Sequence, residues 1–234
     1  MKHLIVIPSY NEADNISSII NKIFELYPDS SILAVDDSSP DGTADIVKDL
    51  QKQYKNLYLI SRTSKQGLAS AYISGFKWGI EHGFDVFTSM DADFSHNPEY
   101  IKTALEYVKQ GVDIVSGARY VKNGCMKTEN SLKYFLSVSG NCYINFMLGN
   151  AVKDWTGGFN TYTKQALEKI NLNSINVKGY IFQTVMKYRA LKAGLKIKEF
   201  PIIFELRHSG KSKMNAGIII EAFIEIIKIK KRVF

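Results

Sequence analysis

From the N-terminus to about Tyr120, short apolar runs alternate with longer amphipathic ones. HLIVIPS, SILAVDD and NLYLISR have the length and β-branched content of strands. Each is followed by a segment with apolar residues at helical spacing: Glu12 to Tyr27, Asp41 to Tyr54 and Leu68 to His82. VFTSMDAD and DIVSGARY continue the series, with a helix predicted from Pro98 to Gln110 between them. This rhythm predicts an α/β fold, a mostly parallel sheet flanked by helices, and ligands of such sheets bind beyond the carboxyl ends of the strands. Polar clusters fall at three of those ends, Ser9 to Glu12, Asp36 to Thr43 and Asp91 to His96, so the pattern predicts one face on which they converge.

Beyond Tyr120 the rhythm changes. A polar loop, VKNGCMKTEN, leads into the amphipathic run LKYFLSVSGNCYINFMLG. A helix from Tyr180 to Ala193, a strand around Ile197 to Leu206 and a last helix are predicted after it, with Phe182, Val185 and Met186 in the core. In the last helix Ile218, Ile219, Ala222, Phe223, Ile226, Ile227 and Val233 cover most of the circumference, and Glu221, Glu225, Lys228 and Arg232 form a polar stripe. No Ser/Pro-rich linker or internal repeat separates these elements, so they read as an extension of one domain.

A chain of 234 residues with 45% hydrophobic content can bury a full core, which excludes a disordered chain. The formal charge of +7 favours an anionic partner: nucleic acid, a nucleotide, a phosphorylated substrate or an acidic lipid surface. The cations are spread along the chain with no nucleic-acid-binding motif to order them, so nucleic acid is not the expected partner. Cys125 and Cys142 form neither a CxxC nor a disulfide framework, which fits a reducing, cytoplasmic setting. The opening apolar run is short and broken by Pro8, so it reads as a strand and not as a signal peptide. Nor does any run approach the roughly 18 apolar residues of a bilayer span.

The candidate chemistry lies at the strand ends. Within TSMDADFSHNP, two-residue spacing would point Asp91 and Asp93 to the same side of a strand, where two hard oxygen ligands suit Mg²⁺ or Mn²⁺ bridging a diphosphate; the competing reading is an Asx turn leading to Asn97-Pro98. His96 reads as solvent-facing or capping. In VDDSSPDGT, Ser39 to Gly42 is turn chemistry, Asp41 or Thr43 can cap the next helix, and Asp36 with Asp37 suits ribose hydroxyls or a base. In EFPIIFELRHSGKSKM, Arg207, Lys211 and Lys213 flank Gly210 and can wrap a phosphate, and Arg119 ends a strand on the same face.

PSYNE (8 to 12), VDDSSPDGT (35 to 43), KQGLASAY (65 to 72), MDADFSHNP (90 to 98), GARY (117 to 120), DWTGGF (154 to 159), GYIFQ (179 to 183) and the PIIFELRHSGKSKM run (201 to 214) occur in order over nearly the whole chain. As a set they resemble the polyprenol (dolichyl) phosphate mannose synthases, inverting family 2 glycosyltransferases of the GT-A fold. The resemblance implies a GT-A domain over 1–214, with a nucleotide-binding part to about 120 and an acceptor part from about 121, followed by an amphipathic helix over 215–234. It places Pro8, Tyr10, Glu12, Val35 and Asp37 around the nucleoside, and Met90, Asp91, Ala92 and Asp93 at the nucleotide sugar. Asp93 would be the principal ligand of Mg²⁺ or Mn²⁺, assisted by Ser95. Arg119, Lys133, Arg207 and Lys213 would gather the donor diphosphate and the acceptor phosphate, with Asp91, Asp93, Arg119 and Arg207 as the catalytic set.

The implied reaction moves mannose from GDP-mannose to a polyprenyl phosphate. The alternative is a family 2 transferase using UDP-glucose or a UDP-N-acetylhexosamine, with a lipid phosphate or a glycan as acceptor. A lipid phosphate has a second pKa near 6 and is largely a dianion at neutral pH, so no general base is required. Four positions depart from the family pattern: Glu129 and Lys133 stand where it has Trp and Arg, Asn160 where it commonly has a basic residue, and Val185 where it usually has Glu. These surround the sugar and acceptor, so they bear on the identity of the sugar. The amphipathic segments Leu132 to Leu148 and Ile218 to Phe234 suggest peripheral attachment to the cytoplasmic face of a membrane, while packing into the protein's own core is the competing reading for the last helix. A small membrane-anchoring subunit is a partner this reading leaves open.

Overall fold

The computed structural model describes residues 1–128, 130–177, 179, 181–205 and 224–230, with the backbone but not the side chain of Lys133. The expected βα alternation is present: β1 (His3–Ser9), α1 (Ala13–Leu26), β2 (Ser31–Asp36), α2 (Thr43–Leu50), β3 (Leu57–Ser61), α3 (Leu68–Glu81), β4 (Val86–Ser89), α4 (Tyr100–Lys109) and β5 (Ile114–Ala118). Then come β6 (Cys125–Met126), α5 (Ser131–Leu148), β7 (Asn160–Thr163), α6 (Lys164–Ile170), α7 (Ile181–Lys192), β8 (Ile197–Pro201) and β9 (Ile203–Phe204). Residues 224–230 are helical.

The main sheet has the order β3-β2-β1-β4-β7-β5-β8, and β6 pairs with β9 in a second small sheet. All pairings in the main sheet are parallel except those of β7, which runs antiparallel to both β4 and β5. The predicted strand from Ile197 to Leu206 is two strands, because β8 follows β5 and Cys125 then draws the chain into the small sheet by donating its N–H to Ile202 O at 3.0 Å.

Two apolar layers cover the sheet. One joins Ile16, Ile19, Ile20 and Ile23 of α1 to Val47 of α2 and Ile101 and Ala104 of α4. The other joins Tyr72 and Phe76 of α3 to Leu167 of α6 and to Phe182, Val185 and Met186 of α7. Since α1 and α2 lie on one face and α3 on the other, the chain changes face on its way to β4, and the crevice at such a reversal is where ligands of open α/β sheets bind. Ile226 and Ile229 belong to the second layer, whereas Ile224 and Ile227 point outward. The 224–230 part of the last helix therefore packs on the protein's own core. Its apolar arc is wide because it has an inner and an outer side; the rest of the 215–234 segment lies outside the described residues.

Helix α3 sits unusually close to the sheet. A Cβ at Gly75 would fall 2.5 Å from Val6 Cγ1, and one at Gly79 would fall 2.6 Å from Leu4 Cδ2 and Phe87 Cε1. This close approach, which only glycine permits, brings Tyr72, one turn before Gly75, beneath the end of β4.

Candidate active site

The acidic turn begins where β4 ends. The strand stops at Ser89, so Asp91 and Asp93 lie on a bent segment and not on a continuing pleat, with Phe94 in the left-handed region at φ +62°. The expectation that strand geometry points both acids the same way is replaced by two unlike environments. The Asp91 side chain is 29% exposed, and its Oδ1 accepts the Tyr72 hydroxyl at 3.2 Å. Asp93 is buried, and its Oδ1 accepts the Ser95 N–H at 3.1 Å and the Ser95 hydroxyl. Asp93 thus closes an Asx turn, and Asn97 closes another through Glu99 N–H at 3.0 Å. The turn reading of the sequence is what the structure shows, and the two carboxylates lie within that turn. Met90 and Ala92 face the core on either side of Asp91.

His96 is not solvent-facing. It is 1% exposed, with its ring set edgewise between Phe159 and Phe204 at 5.9 and 5.4 Å between centroids. Its Nδ1 accepts the Asp91 N–H at 3.3 Å, and burial lowers its pKa below the usual value against the pull of Asp91 and Asp93.

The clusters after β1 and β2 form the adjoining wall. Asp36, read with Asp37 as suited to ribose hydroxyls or a base, organises its own turn: it accepts Ser39 N–H at 2.9 Å, the Ser39 hydroxyl at 2.5 Å and the Ser9 hydroxyl at 3.4 Å. Asp41 accepts Thr43 N–H at 3.1 Å and Ala13 N–H at 3.0 Å, and Thr43 Oγ1 accepts Glu12 N–H at 3.0 Å, which fastens this turn to the start of α1. Asp37 reaches the other way. Its carboxylate accepts Gln66 N–H at 2.9 Å and Gly67 N–H at 2.7 Å, and Arg62 Nη1 stands 3.0 Å from it. At the end of β1, Pro8, Tyr10 and Glu12 are partly buried, and the Lys65 ammonium lies 3.7 Å from the centre of the Tyr10 ring. The Val35 side chain is in the core, so this position can offer a ligand only its backbone.

The third wall is the loop before β7. Arg119, at the end of β5, grips Asp154 with Nε to Oδ2 and Nη2 to Oδ1, both 2.8 Å, while Nη2 also donates to Thr156 Oγ1 at 2.8 Å. The guanidinium expected to gather phosphates is thus first a clamp on this loop. Burial would raise the pKa of Asp154, but the Arg119 charge and hydrogen bonds outweigh it, with Lys187 adding to them, and hold it at about 2. Lys187 is fully buried under the same loop and donates to Asp154 O at 2.6 Å and Gly157 O at 3.3 Å; burial pulls its pKa down to about 8 against Asp154 and Glu199. Glu199 on β8 accepts the N–H groups of Lys153 and Asp154, each at 2.8 Å. From α5, Asn141 Oδ1 accepts Trp155 N–H at 2.9 Å and Ser137 Oγ meets the Tyr120 hydroxyl at 2.6 Å.

The turn bearing Asp91, Asp93 and Ser95 is thus flanked by the strand-end acids on one side and the Arg119-clamped loop on the other. Arg207 and Lys213 lie outside the described residues, as do Glu129 and the side chain of Lys133. The departures at 160 and 185 are buried behind the loop: Asn160 Nδ2 donates to Gly157 O at 2.9 Å and Gln183 Oε1 at 3.0 Å, and Val185 is in the core. Tyr72, Asp154 and Lys187 were not singled out individually by sequence reasoning, and His96 was read as solvent-facing or capping. Nothing in a helical stripe marks Tyr72 as more than core, and a lysine on α7 reads as a surface charge until the fold buries it.

Among the described residues no three or more His, Cys, Asp and Glu side chains stand close enough to form a metal cluster. Two carboxylates and a serine hydroxyl are nevertheless a fitting donor set for Mg²⁺ or Mn²⁺, since such ions are held by one or two carboxylates and complete their shell with substrate phosphates and water.

The Glycosyl transferase family 2 profile matches residues 4–171. The chain belongs to this family. It is 39% identical to the polyprenol monophosphomannose synthase of Mycolicibacterium smegmatis over 224 residues, covering 95% of this chain and 84% of that protein. It is also 39% identical to the undecaprenyl-phosphate mannosyltransferase of Micrococcus luteus over 228 residues, covering 97% of this chain and 93% of that one. A crystal structure of glucosyl-3-phosphoglycerate synthase from Mycobacterium tuberculosis, in complex with Mn²⁺, UDP and phosphoglyceric acid, superposes with a TM-score of 0.73 at 12% identity, covering 100% of this chain and 80% of that one. At that identity the likeness shows the GT-A fold of this family 2 enzyme and no more.

Proposed function

We propose that this family 2 glycosyltransferase moves mannose from GDP-mannose to a polyprenyl phosphate of the dolichyl or undecaprenyl type, with inversion. The observation that carries this reading is the near full-length match to two mannosyltransferases whose names specify polyprenol and undecaprenyl acceptors. The geometry supports the same chemistry through the acid turn at the converging strand ends.

Asp91 and Asp93 would hold the cation, with Ser95 beside it, and a bound Mg²⁺ or Mn²⁺ would neutralise the departing nucleoside diphosphate. The acceptor phosphate oxygen attacks the anomeric carbon; the bond from that carbon to the diphosphate oxygen breaks, and its electron pair leaves with GDP. No proton has to be removed from a dianionic acceptor, so the reaction needs no general base. Asp37, with Arg62 beside it, and the partly buried Tyr10 and Glu12 support a nucleoside site at the ends of β1 and β2. Arg119 supports the reaction by fixing the loop opposite the acids, and Arg207, Lys213 and Lys133 are assigned to the phosphates on the resemblance alone.

A lipid acceptor requires access to a membrane. Among the described residues no helix is long and apolar enough to cross one. Helix α5 instead presents Leu132, Phe135, Leu136 and Phe146 to solvent, while Asn141 and Ile144 on its other side are buried. An apolar outer face on a helix whose other side is anchored to the protein suits a helix lying in the headgroup region on the cytoplasmic side, with or without a small anchoring subunit.

The test is label transfer from GDP-mannose, UDP-glucose and UDP-N-acetylglucosamine to a short polyprenyl phosphate with Mn²⁺ or Mg²⁺, and with chelator as control. Lipid-soluble label from GDP-mannose, lost with chelator, is the expected result. Label from a UDP donor alone would reassign the sugar and point to Asn160 and Val185 as its cause.

A further inference from the structure

His96 presents a physical puzzle. Its ring is surrounded by Phe159, Phe204 and Gly158, where a Cβ would fall 3.2 Å from the His96 Cε1 atom. Nε2 is buried and meets no partner among the described residues. With Nδ1 accepting the Asp91 N–H, the ring proton is on Nε2, so a buried N–H goes unpaired at a cost that a phenyl ring in the same space would not incur. Buried unsatisfied groups are rare enough to require a reason, and packing supplies none here.

The one bond the imidazole does make is to the main chain of Asp91. The Tyr72 hydroxyl holds the same residue by its Oδ1. The Asp91 carboxylate is partly open to solvent, and these two contacts hold the residue by its main chain and by its side chain. The same ring touches Phe204 of β9, whose neighbour Glu205 donates its N–H to Ser95 O at 3.0 Å. His96 therefore stands where the acid turn, the loop before β7 and the end of β9 meet.

We propose that His96 is a positioning residue: its imidazole is retained at a cost in stability because Nδ1 fixes Asp91 in the orientation that receives the divalent cation. This rests on the reading of Asp91 and Asp93 as the cation's ligands.

Two variants test it, His96→Phe, which keeps the ring shape and removes the acceptor, and His96→Asn, which places an oxygen near the position of Nδ1. The probe is Mn²⁺ with GDP, followed by loss of the free-ion EPR signal, alongside thermal melts and transfer kinetics. His96→Phe is expected to melt at or above the wild-type temperature yet bind Mn²⁺ about tenfold more weakly. Its kcat should fall more than its KM for the donor, and His96→Asn should recover most of the affinity. Wild-type Mn²⁺ affinity in His96→Phe would overturn the proposal, as would loss of affinity in a folded His96→Asn. If His96→Phe does not fold, the ring's role is structural and the cost argument fails. A wild-type protein that binds no Mn²⁺ with GDP present would instead remove the cation reading itself, and this inference with it.

Discussion

Arg119 and Asp154 meet as a two-pronged ion pair with both contacts at 2.8 Å, the guanidinium side chain 9% exposed and the carboxylate not at all. The pair fixes the loop from 154 to 158 against the end of β5, and Asp154 also accepts Arg119 N–H at 2.9 Å and Gly157 N–H at 3.0 Å.

Its energetics should be visible in acid. Against the cost of burial, the Arg119 charge and hydrogen bonds hold the Asp154 carboxyl at about 2, below its ordinary 3.8. Between those values the unfolded chain binds a proton there that the folded chain does not, so stability is fully present above about pH 4 and falls as the pH drops towards 2. The contribution is about 2 kcal/mol. Arg119→Met should destabilise the protein at neutral pH by about 3 kcal/mol or more, because it leaves a buried charge unpaired. It should also move the Asp154 titration upward. Denaturant melts of both proteins from pH 7 to 3 would show it; identical pH profiles would contradict the assignment.

Tyr72 is fully buried, stacked on Phe182 at 5.9 Å with an interplanar angle of 6°, and burial with the neighbouring Asp91 keeps its hydroxyl protonated as a donor. Tyr72→Phe retains the stack and removes one bond to Asp91. The expected stability change is small, about 1 kcal/mol. Transfer should fall about tenfold, with a higher Mn²⁺ requirement; unchanged metal dependence would show that Asp91 needs no such support.

The first five strands and four helices were legible because each buries one stripe or one run, and hydrophobic periodicity records that directly. β7 was not. Its residues Asn160, Thr161, Tyr162 and Thr163 form no apolar run, yet it lies inside the sheet between β4 and β5, where Thr161 Oγ1 meets Thr88 Oγ1 at 2.8 Å. A strand that satisfies polar side chains against its neighbours leaves no pattern to read. α7 is buried from Ile181 to Ala190, including Lys187 and Arg189, so its charges read as solvated until the loop carbonyls that receive them are known. The acid turn was legible as a site because its residue types are unusual at a strand end. Its internal division, with Asp91 half-open and Asp93 enclosed, depends on Tyr72 and Ser95 and could not be read from spacing.

Gly75 and Gly140 make a controlled comparison of two helical glycines. A Cβ at Gly75 collides with Val6 at 2.5 Å, whereas one at Gly140 meets nothing within 4 Å. Gly75→Ala should therefore cost a net ~1–2 kcal/mol despite better helix propensity, and should also depress transfer by shifting Tyr72. Gly140→Ala should raise stability by up to about 1 kcal/mol with activity unchanged. Equal melting temperatures for the two variants would refute the close approach of α3 to the sheet.

Removing the charge of Asp93 without removing its turn isolates the metal. Asp93→Ala would also leave the buried Ser95 N–H unpaired, whereas Asp93→Asn keeps an oxygen at Oδ1 for it. Asp93→Asn should keep the wild-type melting temperature within a few degrees and lose metal-dependent transfer by on the order of 10²–10³-fold. Near-normal turnover in that variant would remove Asp93 from the ligand set.

The outer face of α5 gives the membrane reading its own test. Leu132, Phe135, Leu136 and Phe146 share one side of the helix over about 21 Å, and Phe146 is 82% exposed. Because Asn141 and Ile144 anchor the other side, changes to the outer face should leave the fold intact. Phe135→Glu with Phe146→Glu should abolish flotation with anionic vesicles and raise KM for a long-chain polyprenyl phosphate. Transfer to a short, water-soluble acceptor should be unaffected, since the acid turn is untouched. That contrast separates adsorption from catalysis: equal loss with both acceptors would mean that α5 serves the site itself and not the membrane.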